Sequence, residues 1–131
     1  ISCKKMSSLL FVYGALRKGA SNDWRMLDGR CLGAAEVSGT LVKIDWYPGL
    51  VLGGDRVVKG EVYEVGAELL KELDEFEGIG KGDERFGEYH RVRTEVRIAG
   101  EPTEVWIYEW LKGVEGYRVV ESGDWLTISS D

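Results

Sequence analysis

The sequence predicts an α+β fold in which a small, curled, mixed or antiparallel β-sheet closes into a barrel and carries two main helices. Three observations support this prediction. Short apolar or alternating segments typical of strands recur along most of the chain, glycines interrupt them, and the segment 66–78 has the period of an amphipathic helix. Because glycine-interrupted strands in this number bend readily, we expect the sheet to curl.

Length and composition predict a single domain over residues 1–131, with 44% hydrophobic and 31% charged residues. We expect residues 1–7 to be an extension or disordered, with Met6 as the natural start. They lack the long apolar core of a signal peptide, and no apolar run approaches the ~20 residues of a membrane span. A cytoplasmic location is therefore the expectation.

The net charge of −6 argues against nucleic acid or an anionic membrane as a partner, because both require basic patches. Cys3 and Cys31 are too few and too far apart for a disulfide framework, and His90 is the only histidine. A zinc site would need mainly carboxylate ligands, which is unusual. We therefore expect no metal and no cofactor.

The first part of the chain begins with a continuous apolar run over 9–13, which predicts a strand buried on both sides. Residues 14–19 form a turn of small residues. Ser21 or Asn22 then caps the first predicted helix, which extends through Leu27.

The middle of the chain is predicted to be strands separated by glycine turns. Residues 31–44 form one bent strand or two short ones, and 46–49 form a turn with either isomer of the bond before the proline. A short strand at 50–52, a turn at 53–55 and a strand at 57–65 follow.

The second predicted helix follows at 67–77, and its C-terminal turn holds an acid on the apolar side. The stripe that this helix buries is formed by Leu69, Leu70, Leu73 and Phe76. Glu77 falls inside the same arc, Asp74 lies at its edge and Glu75 points away. Either Glu77 is a buried carboxyl with a raised pKa, suited to acid–base catalysis, or the helix frays and Glu77 is solvated.

The glycine-rich, charged segment 78–88 is either a lid over a pocket or an exposed connection. Beyond it, 89–98 and 103–110 alternate as the two strands of a hairpin joined by a turn at 99–102. Short terminal elements are predicted at 117–120 and 124–128.

Several catalytic classes lack their residues. The chain has no phosphate-binding loop and no nucleophile elbow, and nothing local supports a Cys31–His90 pair. A glycosidase pair is disfavoured because Glu75 and Glu77 lie on different helix faces. Three tryptophans form either a sugar platform or half-buried strand aromatics: Trp46, Trp106 and Trp110.

The glycine turn after the first strand is the second candidate feature. In Tyr13, Gly14, Ala15 and Leu16 the chain leaves the sheet, and such a turn exposes successive backbone N–H groups. These groups can hold a carboxylate or a developing oxyanion.

Residues 11–19 (Phe-Val-Tyr-Gly-Ala-Leu-Arg-Lys-Gly) combined with 73–77 (Leu-Asp-Glu-Phe-Glu) resemble the gamma-glutamylcyclotransferase-like family. The pattern is most similar to its gamma-glutamylamine cyclotransferase branch. The resemblance covers roughly residues 8–110 and continues through Asn22, 47–51, 60–65 and 89–91.

The resemblance implies a gamma-glutamylcyclotransferase-like fold and a set of site residues. Glu77 would be the catalytic acid/base, and residues 13–16 would hold the glutamyl end of the substrate through the backbone, with the ring of Tyr13 lining the site. Ala15 stands where the family usually has Ser or Thr. Tyr89 would be pocket wall or core, and Arg91 would pair with a nearby acid or contact substrate.

The implied reaction is an intramolecular acyl transfer that releases 5-oxoproline and a free amine from a small γ-glutamyl compound, without a metal. One alternative is a barrel that binds an amino-acid-like metabolite and has lost turnover. Ala15 favours that alternative and Glu77 argues against it. Another alternative is an interaction protein that uses its Trp-rich strand. The sequence leaves the leaving amine and the oligomeric state open.

Overall fold

The computed structural model of this chain describes residues 7–20, 22–76 and 89–127. Within these ranges there are six strands, one α-helix and two short 3₁₀ turns. In chain order they are β1 (Ser7–Val12), a 3₁₀ turn (Asp23–Met26), β2 (Arg30–Lys43), β3 (Pro48–Gly66), α1 (Ala67–Phe76), β4 (Tyr89–Ile98), β5 (Glu101–Trp110), β6 (Arg118–Val119) and a second 3₁₀ turn (Trp125–Thr127).

The strands form one mixed sheet that closes into a ring. Their order is β3-β1-β5-β4-β2-β6, and β2 also pairs with β3, which joins the two sides of the sheet. β1 pairs in parallel with β5, and the other pairings are antiparallel. The predicted curled, barrel-like sheet is therefore confirmed.

β1 is covered on both sides, as its continuous apolar sequence predicts. Phe11 belongs to a core cluster whose members come from all five strands of the ring, whereas Leu10 belongs to a second cluster shared with α1. Both side chains are fully buried. Successive residues of a strand point to opposite faces, so only a strand between two apolar layers can bury both.

The helix α1 packs its predicted stripe onto the outside of the ring. Leu69, Leu70 and Leu73 are buried in the second cluster, and Phe76 packs against it. The described helix ends at Phe76. Glu77 and the segment 78–88 lie outside the described residues. The predicted burial of Glu77 and the predicted lid therefore remain predictions.

The prediction of two main helices was wrong for the described part of the chain. The segment predicted as the first helix is a single 3₁₀ turn, Asp23–Met26, in which only Met26 is buried. Asn22 makes no side-chain capping hydrogen bond there, and Ser21 lies outside the described residues. One buried side chain gives an α-helix too little apolar contact to be stabilised by packing.

The predicted turn at 53–55 was also wrong, because β3 is one long strand. Leu52 pairs with Gly39 and Val57 pairs with Ser38, so the residues between them bulge out of the ladder. Gly53 and Gly54 have φ values of 101° and 85°, which glycine adopts without the steric cost of a Cβ.

The predicted hairpin is confirmed with a tighter turn. Tyr89–Ile98 pairs with Glu101–Trp110 along its whole length, and the turn consists of Ala99 and Gly100 alone. Their φ values are 51° and 83°, the positive pair that a two-residue hairpin requires. No helix in the described residues has the length and apolar character needed to span a membrane.

Candidate functional site

The turn after β1 is tightly fixed by its surroundings. The N–H of Arg17 donates to the carbonyl of Gly14 at 2.9 Å, and the N–H of Asn22 donates to the carbonyl of Ala15 at 2.8 Å. A Cβ on Gly14 would lie 2.5 Å from Cγ of Pro48. Position 14 therefore requires glycine, because any side chain would displace the proline ring.

The same turn presents backbone donors that are not used in the turn and loop hydrogen bonds of the described residues. Among the turn and loop hydrogen bonds of the described residues, none has the N–H of Gly14, Ala15 or Leu16 as its donor. Consecutive amide groups in such a turn form a concave anion-binding surface. The side chains of Ala15 and Leu16 are buried, which helps to fix the turn.

Arg17 anchors the end of this turn in the protein. Its side chain, buried with the residue 7% exposed, contacts Glu61 at 2.7 Å and Asp124 at 2.6 Å. Burial lowers the pKa of the guanidinium, but the hydrogen bonds and charges of Glu61 and Asp124 outweigh that effect and raise the pKa above its ordinary value. Glu61 also accepts from the N–H of Lys18 at 3.2 Å.

Tyr13 is connected to the last turns of α1 by a chain of hydrogen bonds. Its buried hydroxyl donates to the backbone carbonyl of Tyr108 at 2.5 Å. The hydroxyl of Tyr108 donates to Asp74 Oδ1 at 2.7 Å. Because Asp74 lies in α1, this chain fixes the helix relative to the glycine turn.

Arg91 completes the contact to the helix from β4. Its Nε and Nη2 donate to the two carboxylate oxygens of Asp74 at 2.8 and 3.1 Å. The guanidinium also stacks over the ring of Trp106 at 4.3 Å. This bidentate pair corresponds to the first of the two roles expected for Arg91, an ion pair with a nearby acid.

Tyr89 lies two residues before Arg91 on β4 and is half-buried. Its hydroxyl donates to the carbonyl of Pro48 at 2.6 Å. Pro48 is the residue that packs against Gly14, so Tyr89 and the glycine turn are joined through one proline. The ring of Tyr89 also packs against Trp110.

These contacts bring most of the predicted site residues to one end of the ring, around the glycine turn, the last turns of α1 and the start of β4. Glu77, the predicted acid/base, is the next residue after α1 and lies outside the described residues.

Sequence reasoning missed Tyr108, Pro48 and Arg17 as contributors. The position of Asp74 at the edge of the apolar stripe was the one feature of the sequence that indicated a polar partner on the surface against which the helix packs.

The structure also shows where the residues of the other candidate sites lie. His90 pairs with Glu109 at 2.8 Å, and Cys31 is exposed in β2 opposite Tyr63. The three tryptophans do not form one platform, since Trp110 is buried and Trp106 is covered by arginines. In the described ranges, no three metal-ligating side chains gather into a possible metal site.

A separate cleft of about 260 Å³ lies between α1 and the segment that contains the first 3₁₀ turn. It contains none of the predicted site residues. Its lining is formed by Trp24, Arg25, Leu27, Asp28, Leu69, Glu72 and Leu73.

Comparison with known proteins identifies the family. The family model described as "Gamma-glutamyl cyclotransferase, AIG2-like" matches residues 10–127. The chain is 34% identical over 118 residues to the gamma-glutamylcyclotransferase family protein YtfP of Escherichia coli K12, covering 89% of this chain and 95% of that protein.

Two further proteins extend the comparison. The chain is 37% identical over 119 residues to the gamma-L-glutamyl-butirosin B gamma-glutamyl cyclotransferase of Niallia circulans, covering 88% of this chain and 74% of the relative. The crystal structure of YkqA from Bacillus subtilis superposes with a TM-score of 0.73 and 29% identity, over 92% of this chain but only 40% of that longer chain.

The family model and these relatives do not distinguish the gamma-glutamylamine cyclotransferase branch from the rest of the family. The match nevertheless includes the glycine turn, α1 and the β4–β5 hairpin. This chain therefore belongs to the gamma-glutamyl cyclotransferase, AIG2-like family.

Proposed function

We propose that this protein is a gamma-glutamyl cyclotransferase that acts on γ-glutamyl amines. The α-amine nitrogen of the glutamyl group attacks its own γ-carbonyl carbon and closes a five-membered ring. The bond between that carbon and the leaving nitrogen then breaks, releasing 5-oxoproline and a free amine. A nucleophile held within the same molecule has a high effective molarity, so the protein needs chiefly to fold the substrate and to move protons.

The glycine turn is the observation that carries this proposal. The amides of Gly14, Ala15 and Leu16 are not used by the described turn and loop hydrogen bonds, while the packing of Pro48 and the ion pairs of Arg17 fix the turn. Fixed donors of this kind stabilise a carboxylate or a developing oxyanion without reorganising during the reaction. We assign them to the substrate's glutamyl end.

Ala15 fits this assignment because the proposed contacts are made by the backbone. The methyl side chain of Ala15 is buried, so replacing a hydroxyl at this position leaves the amide in place. The proposal therefore expects turnover despite the departure from the family pattern.

Glu77 is assigned as the general acid and base. It follows directly on a helix whose position is fixed by the contacts of Asp74 with Arg91 and Tyr108. One carboxyl group can remove the proton from the α-ammonium and return it to the departing amine, a contribution of ~10²–10⁴-fold to the rate.

The test is a panel of γ-glutamyl compounds assayed for 5-oxoproline by mass spectrometry. We expect product from the wild type and a loss of at least ~10²-fold in kcat for Glu77→Gln, which removes the ionisable group and keeps the shape of the side chain. Circular dichroism checks that the variant is folded.

Glu75→Gln is the matched control, because Glu75 is an exposed acid two residues earlier on the same helix. It should retain wild-type activity. Full activity in Glu77→Gln would overturn the assignment of the acid/base. Binding of 5-oxoproline by a wild type that turns over no compound in the panel would instead favour the non-catalytic, metabolite-binding alternative.

A further inference from the structure

Five aromatic side chains near the glycine turn contact one another in a continuous row. Successive ring centroids lie 5.1, 6.5, 5.2 and 5.9 Å apart, within the range in which aromatic rings attract one another. The members of this aromatic row, in spatial order, are Trp46, Tyr47, Tyr89, Trp110 and Tyr117.

The aromatic row is continuous with the proposed reaction site. Tyr89 donates a hydrogen bond to the carbonyl of Pro48, and Pro48 packs against Gly14. Tyr89 also lies on the face of β4 that carries Arg91, since residues two apart in a strand share a face. The row is therefore joined to the glycine turn through its middle member, and its two ends lead away from that point.

Both ends of the row are exposed to solvent. Trp46 is 55% exposed and Tyr117 is 36% exposed, whereas Trp110 between them is 2% exposed. The N–H groups of Ile44 and Asp45 both donate to the carbonyl of Tyr47 at 3.1 Å, which makes the turn that carries Trp46 a closed one. Exposed rings on a held turn lose little side-chain entropy when a ligand packs against them.

Charges along the row do not select for a cation. Asp45 precedes Trp46 and Arg118 follows Tyr117, so residues of both charges flank the two ends of the row in the sequence. What the row offers to a ligand is the exposed apolar ring of Trp46, which favours an aromatic ligand through ring packing and burial.

We propose that the aromatic row is the subsite for the leaving amine, and that it selects γ-glutamyl amides whose amine carries an aromatic ring. This inference rests on the proposed function, because it assigns the other half of the same substrate. The glutamyl half lies on the amides of the glycine turn, and the ring of the amine packs on Trp46 and its neighbours.

The experiment compares γ-glutamyl-benzylamide with γ-glutamyl-ethylamide, which share the glutamyl half. We expect the wild type to have a KM about tenfold lower for the benzylamide, and Trp46→Ala to reduce this ratio to about one. Trp46→Phe should restore most of the preference, because a smaller ring still packs. Leu126→Ala removes an exposed apolar side chain from the C-terminal turn and should leave the ratio as in the wild type.

Two results would overturn this inference: equal KM values for the two amides in the wild type, or an unchanged ratio in Trp46→Ala. A lower KM for γ-glutamyl-1,4-diaminobutane, whose amine is cationic and has no ring, than for the benzylamide would also overturn it.

Failure of the proposed function would look different, since neither amide would yield 5-oxoproline. Calorimetric titration of the wild type with both amides then still decides the inference, because the subsite predicts tighter binding of the benzylamide and equal affinities would refute it.

Discussion

Two arginine networks border the glycine turn, and they differ in burial and in the number of acids that they hold. Arg17 has a side chain that is 9% exposed and contacts two carboxylates, Glu61 and Asp124. Arg91 has a side chain that is 23% exposed and contacts one carboxylate, Asp74, together with the ring of Trp106.

The difference indicates what each network does. The negative charges of two acids around one buried guanidinium are compensated only while that guanidinium is present. The Arg17 network therefore contributes mainly to the stability of the fold. Water reaches the Arg91 network more easily, so losing it costs less stability. Since Asp74 lies three residues before Glu77, we expect the loss of its contact to act mainly on the geometry of the proposed site.

The largest effect is expected for Arg17→Met. It leaves the partly buried carboxylates of Glu61 and Asp124 without their cation, and we expect the free energy of unfolding to fall by about 3 kcal/mol. Urea denaturation followed by circular dichroism measures the change. Adding Glu61→Gln and Asp124→Asn to the variant should recover part of the loss, and no recovery would mean that charge is not the cause.

A smaller stability change, with a clear activity change, is expected for Asp74→Asn. The amide oxygen can still accept from Tyr108, but the charge pair with Arg91 is lost, so unfolding should become easier by about 1.5 kcal/mol. Because the helix end would shift relative to the glycine turn, the kcat for 5-oxoproline release should fall about tenfold or more. Glu72→Gln, an exposed acid of the same helix, is the control. If stability fell while kcat stayed unchanged, the contact between Asp74 and Arg91 would have no role in positioning the site.

The smallest effect is expected for Glu121→Gln, which breaks the ion pair of Glu121 with Arg56. That pair is as short as the Arg17–Glu61 contact, 2.7 Å, but its side chains are 76% and 48% exposed. Solvent screens such a pair, so the free energy of unfolding should change by less than about 0.5 kcal/mol. A loss comparable to that of Arg17→Met would show that distance, and not burial, ranks these networks.

Much of the local structure could be predicted from the sequence because it depends on neighbours in the chain. The apolar run of β1, the stripe of α1 and the turn at Ala99–Gly100 are each encoded within about ten residues. The short 3₁₀ turn at Asp23–Met26 escaped prediction because packing, not propensity, decides whether so short a segment becomes a helix.

The candidate site was predicted as two separate motifs, and the contacts between them were not predictable. Arg17 and Asp124 are 107 residues apart, and Tyr13 and Tyr108 are 95 residues apart. No periodicity in the sequence links residues at such separations.

The sequence by itself determined the strands, the helix stripe, the glycine turn and the family to which they belong, because each is a short-range pattern or an ordered set of motifs. Only the tertiary structure decided that the sheet closes through the pairing of β2 with β3, that Pro48 packs on Gly14, and that Asp74 meets Arg91. The physical reason is that these contacts join segments far apart in the chain, and their partners are selected by burial and charge compensation when the ring closes.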